Sequence, residues 1–104
     1  MAAKYHVGRV PQVSDDVRSL SVIARVIGRL EDFVGALRSA FETLNHRPSD
    51  WGDPLRKTAR AGGMVYRGIR DPLVVHFALY EREKEVMVLK LLPLPHSFLD
   101  TESK

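Results

Sequence analysis

The alternation of apolar and polar residues predicts a short β-strand near the beginning of the chain. Between Lys4 and Val10, the apolar Tyr5 and Val7 alternate with polar or small neighbours, which gives the period of two that is typical of strands. Pro11 ends this strand, because proline has no N–H group to donate to a neighbouring strand.

A helical pattern follows, in which apolar residues recur at intervals of three and four and form one stripe along a helix. The positions are Leu20, Ile23, Ile27, Leu30, Val34, Leu37, Phe41 and Leu44. Ser14 is the predicted N-cap, and the helical region is expected to end around Asn45–Pro48. A single helix over residues 15–45 would be about 45 Å long. We therefore favour a break near Gly28–Asp32 that makes a helical hairpin, with one long helix as the alternative.

The second half of the chain predicts mainly strands. The predicted elements are a loop at Ser49–Pro54, a short helical turn at Leu55–Lys57, and strands at Met64–Ile69, Leu73–Tyr80 and Val86–Leu92. The charged run Glu81–Glu85 is expected to form the exposed connection between the last two strands. Residues 93–104 begin with a proline-containing stretch and end in polar residues, so we expect this tail to be flexible.

The strand Leu73–Tyr80 indicates where the helices lie. Its first face is wholly apolar and is expected to pack on the helices; it carries Leu73, Val75, Phe77 and Leu79. Its second face contains a histidine and is expected to face away from the helices; it carries Val74, His76, Ala78 and Tyr80. The predicted class is α+β, in the order β-α-α-β-β-β, with the helical hairpin on one face of a largely antiparallel four-stranded sheet. We expect residues 1–104 to form a single domain.

Composition limits the chemistry that this chain can carry. The 104 residues include no cysteine, so disulfides and thiolate metal sites are excluded, and the four histidines are dispersed, so we predict no metal site. No cofactor motif is present either. The chain lacks a signal-peptide pattern and a transmembrane run, which favours the cytoplasm. The net charge of +3 favours a nucleic acid or an acidic partner, with an ordinary basic domain as the alternative.

The order of three sequence blocks resembles the RelE/ParE toxin superfamily of type II toxin–antitoxin systems. The blocks are Trp51-Gly52-Asp53-Pro54-Leu55-Arg56, then Gly63-Met64-Val65-Tyr66-Arg67, then Leu73-Val74-Val75-His76-Phe77. The resemblance covers about residues 4 to 92 and includes His96. The third strand of the family often begins with an arginine that contacts phosphate; here that stretch reads Pro72-Leu73-Val74, with Arg70 just before it.

This resemblance implies a function and partners. RelE-like members cut messenger RNA in the ribosomal A site without a metal or cofactor, whereas ParE-like members inhibit DNA gyrase, and both usually pair with an antitoxin. The chain is therefore expected to be a RelE-like toxin and candidate ribosome-dependent endoribonuclease. The alternatives are a non-enzymatic ParE-like module that binds a gyrase-type target or only an antitoxin, and a relative that has lost toxicity. A homodimer is left open.

Cations and histidines suggest a site for RNA. The less apolar sheet face is expected to gather His76, Lys90 and either Arg67 or Arg70, where histidine would move a proton and the cations would hold phosphate. By resemblance, His96 matches a C-terminal histidine that some of these nucleases use. The alternatives are an ordinary solvated face for the sheet residues and a mobile tail position for His96.

A second basic cluster lies next to the predicted loop. Arg56, Lys57 and Arg60 fall within five positions and are expected to follow a nucleic-acid backbone, or else to form a solvated charged face. Trp51 suits base stacking, but a lone tryptophan beside glycine and proline more often closes the end of a core, and we favour that interpretation.

Overall fold

The computed structural model describes residues 4–101. The elements are β1 (His6–Arg9), α1 (Gln12–Val26), α2 (Leu30–His46), a 3-10 turn (Pro48–Asp50), β2 (Asp53–Lys57), β3 (Met64–Arg70), β4 (Leu73–Tyr80) and β5 (Glu85–Pro93). The α+β class and the helical hairpin that the sequence predicts are confirmed. Within the described residues, no helix is long and apolar enough to span a membrane.

The break between the helices lies where the sequence places it. Gly28 adopts a positive φ of 74°, a conformation that glycine reaches without steric cost. Its N–H donates to the carbonyl of Arg25, and the N–H of Arg29 donates to that of Ala24, at 3.1 and 2.7 Å. This hydrogen-bond pattern is the Schellman motif, which satisfies the last carbonyls of α1 and turns the chain back into α2.

α1 begins earlier than the sequence suggests. Its first residue is Gln12, and Pro11 occupies the N-cap position, so the prediction that Ser14 is the cap is wrong. Proline suits the start of a helix because its φ is already helical and it lacks an N–H that would need a partner. Asp16, in the first turns of α1, accepts a hydrogen bond of 3.0 Å from the backbone N–H of Leu91.

The sheet has five strands in the order β1-β5-β4-β3-β2, where the sequence predicts four. β1 pairs parallel to β5, and the other pairs are antiparallel, so the sheet is largely antiparallel as expected. The additional strand is β2, whose residues Leu55–Lys57 the sequence predicts as a helical turn. Every residue of β2 is exposed and the strand contains Pro54, so it lacks the apolar alternation from which a strand is recognised.

The main core lies between the helices and one face of the sheet. That face is the apolar one predicted for β4, and its Phe77 is fully buried between the rings of Trp51 and Tyr66, whose centroids lie 5.7 and 5.5 Å from it. From the helices, Phe33 and Leu44 are fully buried in the same core. The opposite face of the sheet, which we call the helix-free face, carries a smaller apolar cluster of Val65, Ala78 and Tyr80.

The segment that follows β5 packs on the core. The sequence predicts a flexible tail from residue 93, but Leu99 is fully buried in the main core. Backbone hydrogen bonds also hold this segment, because Leu94 N–H donates to the carbonyl of Pro72 at 2.8 Å. The apolar pair Phe98-Leu99 is too short to show a period, so the sequence does not predict its packing. Residues 102–104 lie outside the described residues.

Replacing Leu99 with alanine tests this packing. We expect Leu99→Ala to lower the free energy of unfolding by about 2–5 kcal/mol, because it leaves a cavity in a close-packed core. The control is Leu55→Ala, which truncates an exposed leucine on β2 and should change stability by less than about 0.5 kcal/mol. Urea denaturation measures both, and equal stability of the two variants would contradict the packing of Leu99.

Candidate nucleic-acid interface

Strand register brings four charged or titratable residues into one line across the sheet. His76 on β4 lies opposite Arg67 on β3 and opposite Lys90 on β5. Arg67 in turn lies opposite Asp53 on β2. Residues directly opposite each other have Cβ atoms about 5 Å apart on the same face of a sheet. We call Lys90, His76, Arg67 and Asp53 the cross-strand row; it lies on the helix-free face.

A bulge in β5 is the reason that Lys90 belongs to this row. His76 pairs with Lys90 but Phe77 pairs with Val88, so Leu89 is an extra residue on β5. In a regular strand, Lys90 would share a face with Val88, which is fully buried in the core. The extra residue shifts the phase, so that Lys90 points to the helix-free face and is exposed.

The electrostatics of the row act on His76. Burial, followed by the positive charges of Lys90, Arg67 and Arg56, lowers the pKa of His76 below its ordinary value. All these influences disfavour the protonated ring, so His76 is neutral near neutral pH. A neutral imidazole that is surrounded by cations is suited to accept a proton next to a bound anion.

The second basic cluster is divided by the structure. Arg56 is paired with Val65 and so lies on the helix-free face, close enough to act on His76. Lys57, the next residue, pairs with Met64. Arg60 lies over the ring of Tyr80, 4.1 Å from its centroid, and forms an ion pair of 3.4 Å with Glu85. The sequence could not separate these three cations because it did not show β2 as a strand.

Arg70 does not join His76. It pairs with Leu73, a core residue, so its side chain lies on the face that carries the helices. There its Nη2 donates to Oγ1 of Thr43 on α2 at 2.8 Å, and its guanidinium lies 5.3 Å from the ring centroid of Trp51. Arg67 and Arg70 are separated by an odd number of positions, and they therefore occupy opposite faces of the sheet.

His96 is also separated from His76. It lies in the segment after β5, where its backbone N–H donates to Oδ2 of Asp100 at 2.8 Å. It lines a groove with Arg70 and the N-terminal part of α2. His76 does not line that groove. The two histidines that the sequence analysis considers for acid–base chemistry are thus not brought together.

Trp51 closes the core, as the sequence analysis favours. Its ring stacks on Phe77, and its indole N–H donates to the carbonyl of Ile69 at 3.2 Å. A Cβ on Gly68 would lie 2.8 Å from the indole, so this position must be glycine for the ring to pack flat on β3. With Phe77 on one side and Arg70 nearby, Trp51 is not placed to stack on a base.

Comparison with known proteins establishes the fold. No protein-family model matches the chain, and no curated protein matches it in sequence. In structure, it matches a chain of the archaeal RelE–RelB complex from Pyrococcus horikoshii OT3 with a TM-score of 0.62 and 19% sequence identity. The match covers 89% of this chain and 98% of that chain. The fold is RelE-like.

Within this RelE-like fold, Asp53 is the member of the row that the sequence analysis missed. Its position depends on β2, which shows no apolar alternation, so no sequence signal placed it beside Arg67. No ion pair in the described residues joins Asp53 to Arg67, so strand register alone places this carboxylate beside the arginine. In residues 4–101, no group of three or more metal-ligating side chains comes together.

The depressed pKa of His76 is measurable by NMR titration of its imidazole resonances. We expect its midpoint below the ordinary histidine value, and we expect Lys90→Ala to raise it because one repelling charge is removed. Arg25→Ala removes an exposed cation on α1 and should leave the midpoint unchanged. The same depression makes stability fall as the pH falls below the ordinary histidine pKa, since the unfolded chain binds the proton more tightly. An unshifted midpoint in the wild type would refute this electrostatic account.

Proposed function

We propose that this chain is a RelE-like toxin that cleaves messenger RNA on the ribosome in the cytoplasm, with the cross-strand row as its site. The observation that carries the proposal is the register that sets His76 between Lys90 and Arg67 on the helix-free face. The RelE-like fold supports it, because the structural neighbour is a chain of a RelE–RelB complex.

The chemistry needs no group beyond those of the chain and the RNA. Neutral His76 takes the proton from a ribose 2′-OH, and the 2′-oxygen then attacks the adjacent phosphorus. Arg67, with Arg56 nearby, stabilises the negative charge that develops on the phosphate oxygens. The bond from phosphorus to the 5′-oxygen breaks, and the leaving oxygen takes a proton from the Lys90 ammonium. The products are a 2′,3′-cyclic phosphate and a free 5′-OH.

Controlled expression in bacteria tests this proposal. Wild-type protein should arrest growth, and primer extension should show cuts inside translated codons. His76→Ala should reduce cleavage by about 10²- to 10⁴-fold, the usual contribution of a general base, and Lys90→Ala should also reduce it.

His96→Ala is the matched control, because it removes the other candidate histidine from outside the cross-strand row. It should retain growth arrest and cleavage. Loss of cleavage in His96→Ala together with full cleavage in His76→Ala would move the site to the groove beside α2. Growth arrest without cuts, unaffected by His76→Ala, would favour the ParE-like alternative of a protein target.

A specific observation also supports an antitoxin partner. A groove of about 410 Å³ runs between α1 and α2 and is lined mostly by apolar side chains, with Arg9 and Arg38 among its residues. Val34 on this groove is 39% exposed, so the groove offers apolar surface that a partner could cover. An amphipathic helix of an antitoxin, apolar on one face and acidic on its flank, would complement both features. We call this surface the interhelical groove.

Placing a charge in the interhelical groove tests the antitoxin interaction. Val34→Asp should lower the affinity for the protein encoded beside this chain by about tenfold or more, because a carboxylate would be buried on binding. Co-purification of the two proteins measures this loss. Val22→Asp is the control, since Val22 is exposed on α1 and does not line the groove. Equal affinity of both variants would show that the antitoxin binds elsewhere.

A further inference from the structure

A basic groove, distinct from the cross-strand row, lies on the side of the sheet that carries the helices. It is about 630 Å³ in volume and runs along the C-terminal half of α2 to the end of β3. We call it the α2 groove; its lining includes Arg38, His46, Arg47 and Arg70. The cross-strand row contributes no residue to it.

Arg70 is held rigidly in this groove. Its guanidinium lies against the ring of Trp51, and its Nη2 donates to Thr43 of α2. Its Nε is buried and has no hydrogen-bond partner among residues 4–101. This N–H is itself out of reach of a ligand, but the same guanidinium lines the α2 groove, where a bound anion would offset its positive charge.

The other arginines of the groove are not neutralised within the chain. None of the ion pairs in the described residues includes Arg38, Arg47 or Arg70. The position of Arg47 at the C-terminal end of α2 is explained by the helix dipole, which favours a cation there. Arg38 is more than two turns away and Arg70 comes from the sheet, so the dipole explains neither. Glu42 is the acidic residue that lines the groove.

The walls of the α2 groove favour a nucleic-acid backbone over a protein segment. Between the cations, the lining consists of polar and small residues, namely Gly35, Ser39, Glu42 and Thr43. A docking helix needs apolar anchors, as the interhelical groove offers, whereas a phosphate backbone needs cations and hydrogen-bond donors. The α2 groove offers cations and hydrogen-bond donors, and so it suits a phosphate backbone.

We propose that the α2 groove binds the phosphate backbone of RNA, with Arg70 as the fixed contact and Arg38 and Arg47 as outer contacts. The choice of RNA as the ligand rests on the proposed function. Because the groove and the cross-strand row lie on opposite sides of the sheet, the RNA held here is a different segment from the one that is cleaved. The chain would then bind structured RNA in the α2 groove and cleave messenger RNA at the cross-strand row.

The salt dependence of RNA binding tests the outer contacts. Fluorescence anisotropy with a short RNA hairpin measures the affinity of the wild type and of Arg38→Ala/Arg47→Ala over a series of salt concentrations. Each lost phosphate contact should lower the slope of log affinity against log salt by about 1, so the double variant should lose about 2. The control Arg25→Ala/Arg82→Ala removes the same charge from exposed positions outside both surfaces and should keep the slope.

An equal loss of slope in both double variants would overturn the proposal, because it would show only a general effect of net charge. Absence of RNA binding by the wild type would overturn it as well. Neither result depends on cleavage, since binding is measured with purified protein and no ribosome. The experiments can therefore detect RNA binding in the groove without cleavage, and cleavage without RNA binding in the groove.

The side-chain Nε–H resonance of Arg70 tests the fixed contact directly. This proton is buried, so it should exchange slowly and give its own signal in a nitrogen–proton correlation spectrum. The hairpin should shift it, and the backbone amide signal of Arg82, an exposed residue outside both surfaces, should stay in place as the control. A shift caused by a polyglutamate peptide but not by the RNA would make the groove a protein-docking site and refute the RNA proposal. Changes confined to residues of the helix-free face would refute it too, while leaving the proposed cleavage site intact.

Discussion

The burial of one face of β4 against the helices is the constraint on which the arrangement of this molecule depends. β4 is the middle strand of the five, and the fully buried Phe77 fixes which way it faces. Because side chains alternate along a strand, this choice sends His76 to the opposite face. The pairing of β4 with β3 and β5 then places Arg67 and Lys90 beside His76. The candidate site is thus a consequence of how the core is packed.

The extra residue in β5 reconciles this site with the core. Val86, Val88 and Leu91 are all buried on the side of the helices, although a regular alternation cannot place the last of them with the first two. The bulge at Leu89 absorbs the mismatch, and it lets Lys90 leave the apolar side where a charge would be costly. On the helix-free face, the charge of Lys90 instead adds to burial in lowering the pKa of His76. The bulge at Leu89 therefore keeps the core apolar and also places Lys90 beside His76.

The sequence predicts those parts of the fold that leave a local pattern. The alternation in β4 and the glycine at position 28 are visible from a few neighbouring residues, and the structure follows both. β2 is not predicted because an exposed edge strand buries neither face and so shows no alternation. Leu99 is not predicted because the apolar pair Phe98-Leu99 is too short to show a period. The pairing that adds Asp53 to the cross-strand row is set by tertiary contacts, which a single sequence does not reveal.

The separation of Arg67 from Arg70 shows how strand geometry divides one basic sequence into two surfaces. Both arginines belong to β3, yet their odd spacing sends one to the helix-free face and the other toward α2. Arg70 therefore does not reach the cross-strand row, although it closely precedes β4 in the sequence. On the other side it meets Thr43 and Trp51, which fix its guanidinium beside Arg38 and Arg47 in the α2 groove. A chain with a net charge of only +3 can in this way present two separate cationic surfaces, although Asp53 belongs to the cross-strand row and Glu42 lines the α2 groove.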